Sequence, residues 1–267
     1  MAKKGKPKKS NPLVLGVIPA RFASTRLMGK PLADIGGKSL LQHTYEGACK
    51  SKLIDKIVIA VDDDQVAKTA KKFGASVIMT PKDCPTGSDR IAIAAKEFPR
   101  ADIIVNIQGD EPFISGMMID QAIEPLIFDP DVNVSTLAKL IDKVEELESP
   151  SVVKVVFDYK NFALYFSRSP IPFVRDAKNS KEMIERADIY KHIGLYVYRK
   201  EYLIEFTQLE PTDLEQWEKL EQLRMLENGF KIKIVETEFD SFSVDTPEDL
   251  EKARKIYSKL KKIELAK

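Results

Sequence analysis

The chain has 267 residues, 43% of them hydrophobic and 31% charged, a balance that excludes a disordered or membrane-embedded chain and suffices for one sizeable core. Its net charge of +1 hides an uneven distribution: the first ten residues hold five Lys and no acid, and Glu251 to Lys267 hold seven bases against two acids, leaving 30 bases and 39 acids in residues 11–250. That acidic body is not a general nucleic-acid platform, no apolar run reaches the roughly 18 residues of a membrane helix, and Cys49 and Cys84 form no CxxC pair, as fits a reducing cytoplasm.

The opening MAKKGKPKKSNP lacks the apolar core of a secretory signal and reads as a disordered basic tail over residues 1–12. The run LVLGVI, Leu13 to Ile18, closed by Pro19, predicts a strand buried on both faces. A helix follows over Ser39 to Lys52, then a strand over Lys56 to Val61, and a helix from Asp63 to Phe73 with Gly74 as its stop. Ser76 to Met79 is a third strand, Gly87 to Phe98 a third helix, and Asp102 to Ile107 a fourth strand ending at QGDEP. This alternation predicts right-handed crossovers and a mostly parallel sheet with helices on both faces, a Rossmann-like three-layer α/β sandwich.

The second half changes character. VSTLAKLI, VVKVVFD and FALYFSRS succeed one another with only the short helical DKVEELE between them, which suits antiparallel or mixed strands. A Pro-rich, charged excursion over about residues 169–190 predicts an inserted arm. HIGLYVY returns as a strand, Glu215 to Asn228 predicts one long helix closed by Gly229, KIKIVE a late strand, and Pro247 to Lys262 the last helix. Residues 13–262 read as a single domain.

The loop after the first strand carries Arg21, Arg26 and Lys30, with Ser24 and Thr25 between them, at the carboxyl end where open α/β sheets bind ligands. It contains no G-x-G-x-x-G. GGKS at Gly36 to Ser39 is no P-loop, because Leu32 stands where the first glycine is required. Three cations suit a triphosphate, Arg offering two-pronged donation and Lys a mobile charge; a solvated basic loop is the alternative on charge alone.

Two carboxylates are candidates for Mg²⁺, which prefers one or two carboxylates plus phosphate and water. Asp110 follows an apolar strand and a glycine, and Asp245 follows SFSV before the last helix. Either could instead cap a helix. For Asp245 the following TPED supplies a better cap, with Thr246 as cap, Pro247 at the first helical position and Asp249 at the third, so Asp245 is left free. Asp110 could still cap, and Glu111 competes with it for the metal. TGSDR, Thr86 to Arg90, reads as a loop into a helix N-terminus. His192 and Tyr196, an even number apart on one strand, face the same side. Arg168 closes a strand, and Glu221 and Gln222 sit in mid-helix, where a solvated face is the default.

PARFASTRLMGKPL is similar to the nucleotide-binding signature of sugar nucleotidyltransferases, P-A-R-x-x-S-T-R-L-P-G-K-P-L, departing from it at Met28, where proline is usual. TGSDR, NIQGDEP, VKVVFDYKNFALYFSRSPIP, KHIGLYVY, LEQLRMLENG and VDTPEDL follow in the same order. Over residues 13–257 the chain resembles the cytidylyltransferases that act on 3-deoxy-manno-octulosonate (Kdo). The resemblance implies transfer of CMP from CTP to the anomeric hydroxyl of Kdo, giving CMP-Kdo and pyrophosphate for lipopolysaccharide synthesis, by a cytoplasmic homodimer.

The same resemblance implies that Arg21, Arg26 and Lys30 hold the triphosphate and that Asp110 and Asp245 are the magnesium pair, Arg21, Lys30 and both aspartates forming the catalytic set. It implies that Ala20, Arg21 and the loop residues Thr86, Gly87, Ser88 and Arg90 lie against the nucleotide, and that Gln108, Arg168, His192, Tyr196, Glu221 and Gln222 surround the sugar acid. No separate general base stands out. The partners implied are CTP and Kdo, with neither nucleic acid nor membrane insertion. A sialic acid or an amino analogue of Kdo is the rival substrate. A silent binding module would be expected to lack Lys30 or an aspartate, and a kinase or ATPase would need the absent P-loop.

Overall fold

The first apolar run forms β1 (Val14–Ala20) at the centre of a nine-stranded sheet. The structure, a computed structural model, describes residues 12–23 and 26–265; the tail expected over residues 1–12 lies outside the described residues except for Pro12, as do Ser24 and Thr25. After β1 come a 3-10 turn (Lys30–Leu32), the two-residue strands β2 (Asp34–Ile35) and β3 (Lys38–Ser39), α1 (Leu40–Ala48), β4 (Lys56–Val61), α2 (Asp64–Lys72), β5 (Ser76–Met79), α3 (Gly87–Lys96), β6 (Ile103–Asn106) and α4 (Gly116–Phe128). The second half supplies β7 (Val134–Leu140), α5 (Val144–Glu148), β8 (Lys154–Phe157), β9 (Ala163–Ser167), α6 (Ser180–Arg186), β10 (Tyr190–Arg199), α7 (Lys200–Phe206), α8 (Asp213–Glu218), α9 (Gln222–Glu227), β11 (Ile232–Glu236) and α10 (Pro247–Leu265).

The strand order is β11-β7-β10-β6-β1-β4-β5, with β8 paired to β10 and β9 to β8. β6, β1, β4 and β5 are parallel, because each is reached through a helical crossover. β10 runs against both β6 and β7. Alternation along β1 divides the core: Val14 and Ile18 face one cluster with Leu41 of α1, Val66 of α2 and Ile119 of α4. Leu15 and Val17 face the other with Ile91 of α3, Leu203 of α7 and Leu223 of α9. Helices therefore cover both faces of a mixed, mostly parallel sheet, as the alternation predicts. Between β9 and β10 the chain leaves the sheet, and Met183 and Ile184 of α6 pack against Leu147 of α5. Among the described residues no helix is long and apolar enough to cross a membrane.

The expected long helix over Glu215 to Asn228 is instead α8 and α9, separated at Lys219, whose φ is +53°. The cause lies elsewhere in the chain. Arg168 Nε takes the carbonyl of Glu218 at 2.6 Å and its Nη2 takes that of Lys219 at 3.2 Å, so these carbonyls bond the guanidinium where a continuous helix would use them in its ladder.

Candidate active site

A cleft of about 340 Å³ opens at the carboxyl ends of β1 and β6, lined among others by Ala20, Arg21, Arg26, Lys30, Gly87, Gln108, Asp110 and Asp245. The backbone explains why these meet. Leaving β1, the chain doubles back so that Gly29 N–H donates to the Phe22 carbonyl at 3.2 Å, and Lys30 N–H donates to the Leu27 carbonyl at 3.1 Å. The latter bond closes a turn whose third residue, Gly29, has φ 66° and ψ 22°, near the type II geometry that favours proline at the second position. That position is Met28. Lys30 is thereby returned over the strand end. From β6, Gly109 presses so close that a Cβ there would lie 2.5 Å from the Pro19 carbonyl oxygen, so any side chain would push apart the strand ends carrying Arg21 and Asp110.

Asp245 arrives from the far end of the chain, where Val244 N–H donates to the Asp110 carbonyl at 2.9 Å. The two carboxylates then converge on one ammonium: Lys30 Nζ lies 2.7 Å from Asp110 Oδ2 and 3.0 Å from Asp245 Oδ1, and Arg26 Nη2 is 3.0 Å from Asp245. Asp245 is free for this because Thr246 and Asp249 cap α10 reciprocally, each backbone N–H bonding the other's side chain at 3.2 Å. Burial works to lower the pKa of Lys30, but the charges and hydrogen bonds of Asp110 and Asp245 outweigh it and raise the pKa. Two carboxylates that reach the same cation are a fitting seat for Mg²⁺. Among the described residues no three His, Cys, Asp or Glu form a metal cluster, so phosphate and water would have to complete the coordination.

Arg21 faces the same cleft with Nη2 buried and unpartnered among the described residues. A buried N–H without an acceptor is unfavourable, and an anion in the cleft would relieve it. Glu111 does not line the cleft. It is buried, one oxygen accepting from Ser241 Oγ at 2.8 Å; burial pushes its carboxyl up to about 7, Ser241 opposing and the Asp110 charge adding to the rise.

In the TGSDR segment, Gly87 lines the cleft, while Thr86 caps α3 reciprocally with Asp89. Ser88 turns away, its hydroxyl donating to Glu221 Oε2 at 3.1 Å. Arg90 corrects the expectation placed on it. Its side chain is 0% exposed and lies beneath the cationic loop, Nη2 donating to Asp62 Oδ2 at 3.0 Å and Nη1 to Thr80 Oγ1. The other oxygen of Asp62 accepts the Phe22 N–H at 3.1 Å. One turn into α3, Arg90 thus packs towards the end of β4 and braces the loop from behind. Asp62 escaped the sequence reading, although an acid at the end of KIVIAV is the signal that drew attention to Asp110.

A smaller hollow of about 50 Å³ adjoins the cleft and shares Gln108 with it; Ser88, Asn106, Tyr196, Tyr198, Glu221 and Gln222 are in its wall. Gln108 Nε2 donates to Asn106 Oδ1 and to the Gly194 carbonyl, both at 3.2 Å. Among the described residues the Tyr196 hydroxyl is buried without a hydrogen-bond partner. His192 stands beside Tyr196 with ring centroids 5.3 Å apart, on the same side of β10. Burial holds its imidazole down to about 3. Its Nε2 lies 2.9 Å from Thr136 Oγ1, whose own hydroxyl faces the Leu195 carbonyl at 2.9 Å. With Thr136 donating there, His192 carries its proton on Nε2 and presents Nδ1 as an acceptor. Burial also raises the pKa of Glu221, against the hydrogen bonds of Thr86 and Ser88. Glu221 and Gln222 reach the hollow because α9 starts there, not from the middle of a helix.

Arg168 is not brought into either space. Its guanidinium donates to the carbonyls of Pro150 at 2.9 Å, Glu218 at 2.6 Å and Lys219 at 3.2 Å, which leaves two of its five N–H donors over.

A family model described as cytidylyltransferase matches residues 15–234. The 3-deoxy-manno-octulosonate cytidylyltransferase of Geobacter sulfurreducens is 51% identical over 243 residues, covering 90% of this chain and 97% of that one. The chain belongs to the 3-deoxy-manno-octulosonate cytidylyltransferase family. A further member, from Thermodesulfovibrio yellowstonii, is 48% identical over 246 residues, 90% of this chain and 96% of its own. Among solved structures, CMP:2-keto-3-deoxy-manno-octonic acid synthetase complexed with CTP superposes with a TM-score of 0.86 at 40% identity, over 92% of this chain and 99% of that one. The 4-diphosphocytidyl-2C-methyl-D-erythritol synthase of Anaerococcus prevotii, at 15% identity and a TM-score of 0.60 over 93% of this chain and 100% of its own, shares the fold alone.

Proposed function

We propose that the chain transfers CMP from CTP to the anomeric hydroxyl of Kdo, releasing pyrophosphate and supplying CMP-Kdo for lipopolysaccharide biosynthesis. The observation that carries this reading is the convergence of Lys30, Asp110 and Asp245 in a cleft where Arg21 also presents an unanswered donor.

In this reading the triphosphate lies along Arg21, Arg26 and Lys30. Phosphate oxygens replace the carboxylates on Lys30 and Arg26, and Asp110 and Asp245 are released to hold Mg²⁺. When bound, the magnesium offsets charge at the α-phosphate and lowers the pKa of the attacking hydroxyl. Ala20 and Gly87, with Thr86 and Ser88 behind them, form the wall against which the cytidine lies. Gln108, common to cleft and hollow, holds the acid beside the α-phosphate. His192 Nδ1 accepts from a sugar hydroxyl, the Tyr196 hydroxyl and Gln222 amide offer donors, and Glu221 an acceptor. Arg168, which lines neither space, serves this site from the joint between α8 and α9.

The chemistry asks little more of the protein. The anomeric oxygen attacks the α-phosphorus in line, the α–β anhydride bond breaks, pyrophosphate departs, and the hydroxyl proton passes to water. No covalent enzyme intermediate forms, and catalysis consists of positioning and charge neutralisation. The reading extends to a cytoplasmic homodimer, which sedimentation of the purified chain tests.

Incubation of the protein with Mg²⁺, each nucleoside triphosphate and a panel of sugar acids tests the reaction itself. Pyrophosphate release with CTP and Kdo, exceeding that with sialic acid or an amino analogue of Kdo, is the expected result. No release with CTP and Kdo would defeat it.

A further inference from the structure

Lys154 on β8 is fully buried, and among the described residues no carboxylate bonds it. Its ammonium has three N–H donors and meets three backbone carbonyls, those of Ser149 at 3.1 Å, Val152 at 2.7 Å and Arg168 at 2.6 Å. A buried charge is costly unless its hydrogen bonds are made, and here each donor has its acceptor. Two of the carbonyls belong to the connection between α5 and β8; the third is the residue just past the end of β9. The ammonium therefore ties the end of β9 to that connection.

From this tie a chain of bonds leads to the smaller hollow. Arg168 N–H donates to Glu218 Oε2 at 2.9 Å and Ser167 Oγ donates to Glu218 Oε1 at 2.7 Å, while the Arg168 guanidinium takes the carbonyls of Glu218 and Lys219. These are the residues at which α8 stops and the backbone turns through φ +53°. Two and three residues beyond Lys219 come Glu221 and Gln222, in the wall of the hollow.

We propose that Lys154 is a positioning residue for the sugar acid: it fixes Arg168, which clasps the joint between α8 and α9 and so aims Glu221 and Gln222. The proposal rests on the functional reading above. Lys154 lines neither the cleft nor the hollow, so its effect should reach one substrate and spare the other.

The test compares wild type with Lys154→Met, which keeps the length and removes the ammonium, and with Glu218→Gln, which weakens the same clasp without emptying a buried site. Steady-state kinetics should show KM for Kdo raised about tenfold, as for loss of a hydrogen bond to a charged group, with KM for CTP unchanged. Hydrogen exchange of residues 213–222 in the ligand-free protein should be faster in Lys154→Met. Equal rises in both KM values, or unchanged Kdo KM with unchanged exchange at the joint, would overturn the proposal. If Lys154→Met does not fold, the KM split in Glu218→Gln decides. Absence of wild-type turnover with CTP and Kdo would instead defeat the functional reading, and the exchange comparison would still decide the clasp.

Discussion

Asp110, just past β6, and Asp245, in the loop that leads into α10, meet on the single ammonium of Lys30 at 2.7 and 3.0 Å, drawn together by the Val244 N–H on the Asp110 carbonyl at 2.9 Å. Two carboxylates so placed need a cation between them, Lys30 in the free chain and, in the proposed working complex, a metal. Both are partly exposed, so replacing either with its amide leaves the packing intact. Asp110→Asn and Asp245→Asn should each lower turnover by at least about 100-fold, the scale of losing one electrostatic contributor to the transition state, with melting temperatures close to wild type. Magnesium-dependent turnover near normal in both would contradict the assignment.

Arg90 is expected to act through the loop and not on the base. Its guanidinium bonds Asp62, whose other oxygen holds the Phe22 N–H. Breaking such a buried pair by removing one partner typically costs about 3–5 kcal/mol. Arg90→Met should therefore lower the melting temperature and raise KM for CTP, while the preference for CTP over UTP, as the ratio of kcat/KM values, is kept. Selective loss of that preference would place Arg90 on the base after all.

Much of this architecture is legible in the sequence. β4 and β5 fall at the residues the apolar runs mark, because short β-branched runs bounded by Asp and Gly have one reading. α4 carries no clear helical signal, being apolar on most of its surface with Pro125 inside it, and α7 follows β10 directly without a capping side chain. The place of Asp110 just past β6 and of Asp245 just before α10 follows from local pattern, though SFSV before Asp245 is loop and not strand; their meeting does not follow, because it depends on Val244 reaching Asp110. Likewise the break at Lys219 is imposed by Arg168, fifty residues earlier, and Arg90 is turned from the cleft by Asp62. Local periodicity carries none of these distant bonds.

The neutral state of His192 has a pH signature. Its folded value of about 3 lies below the ordinary 6.5, so the unfolded chain binds the proton first as pH falls. Its contribution to stability is complete above pH 6.5 and is lost as pH falls through that value towards 3. His192→Gln cannot take up this proton, so the melting-temperature difference between wild type and variant should move in the variant's favour between pH 7 and pH 4.5. A difference independent of pH would show that the imidazole is not held neutral by the fold.

Met28 occupies the second position of the type II turn closed by the Leu27 carbonyl, is 72% exposed, and among the described residues its N–H has no acceptor. Met28→Pro should stabilise the chain by about 0.4–1 kcal/mol by restricting the unfolded state, read as a rise in melting temperature with KM for CTP unchanged or lower. A fall in melting temperature would mean that the turn's backbone differs from this description.

The most direct measurement is phosphorus NMR of a reaction holding the protein, CTP, Kdo and Mg²⁺, repeated with Asp245→Asn. The account predicts that the CTP resonances give way to pyrophosphate and one new phosphodiester, CMP-Kdo, with wild type and scarcely at all with the variant. Persistence of CTP with wild type, or an equal rate with Asp245→Asn, would contradict it.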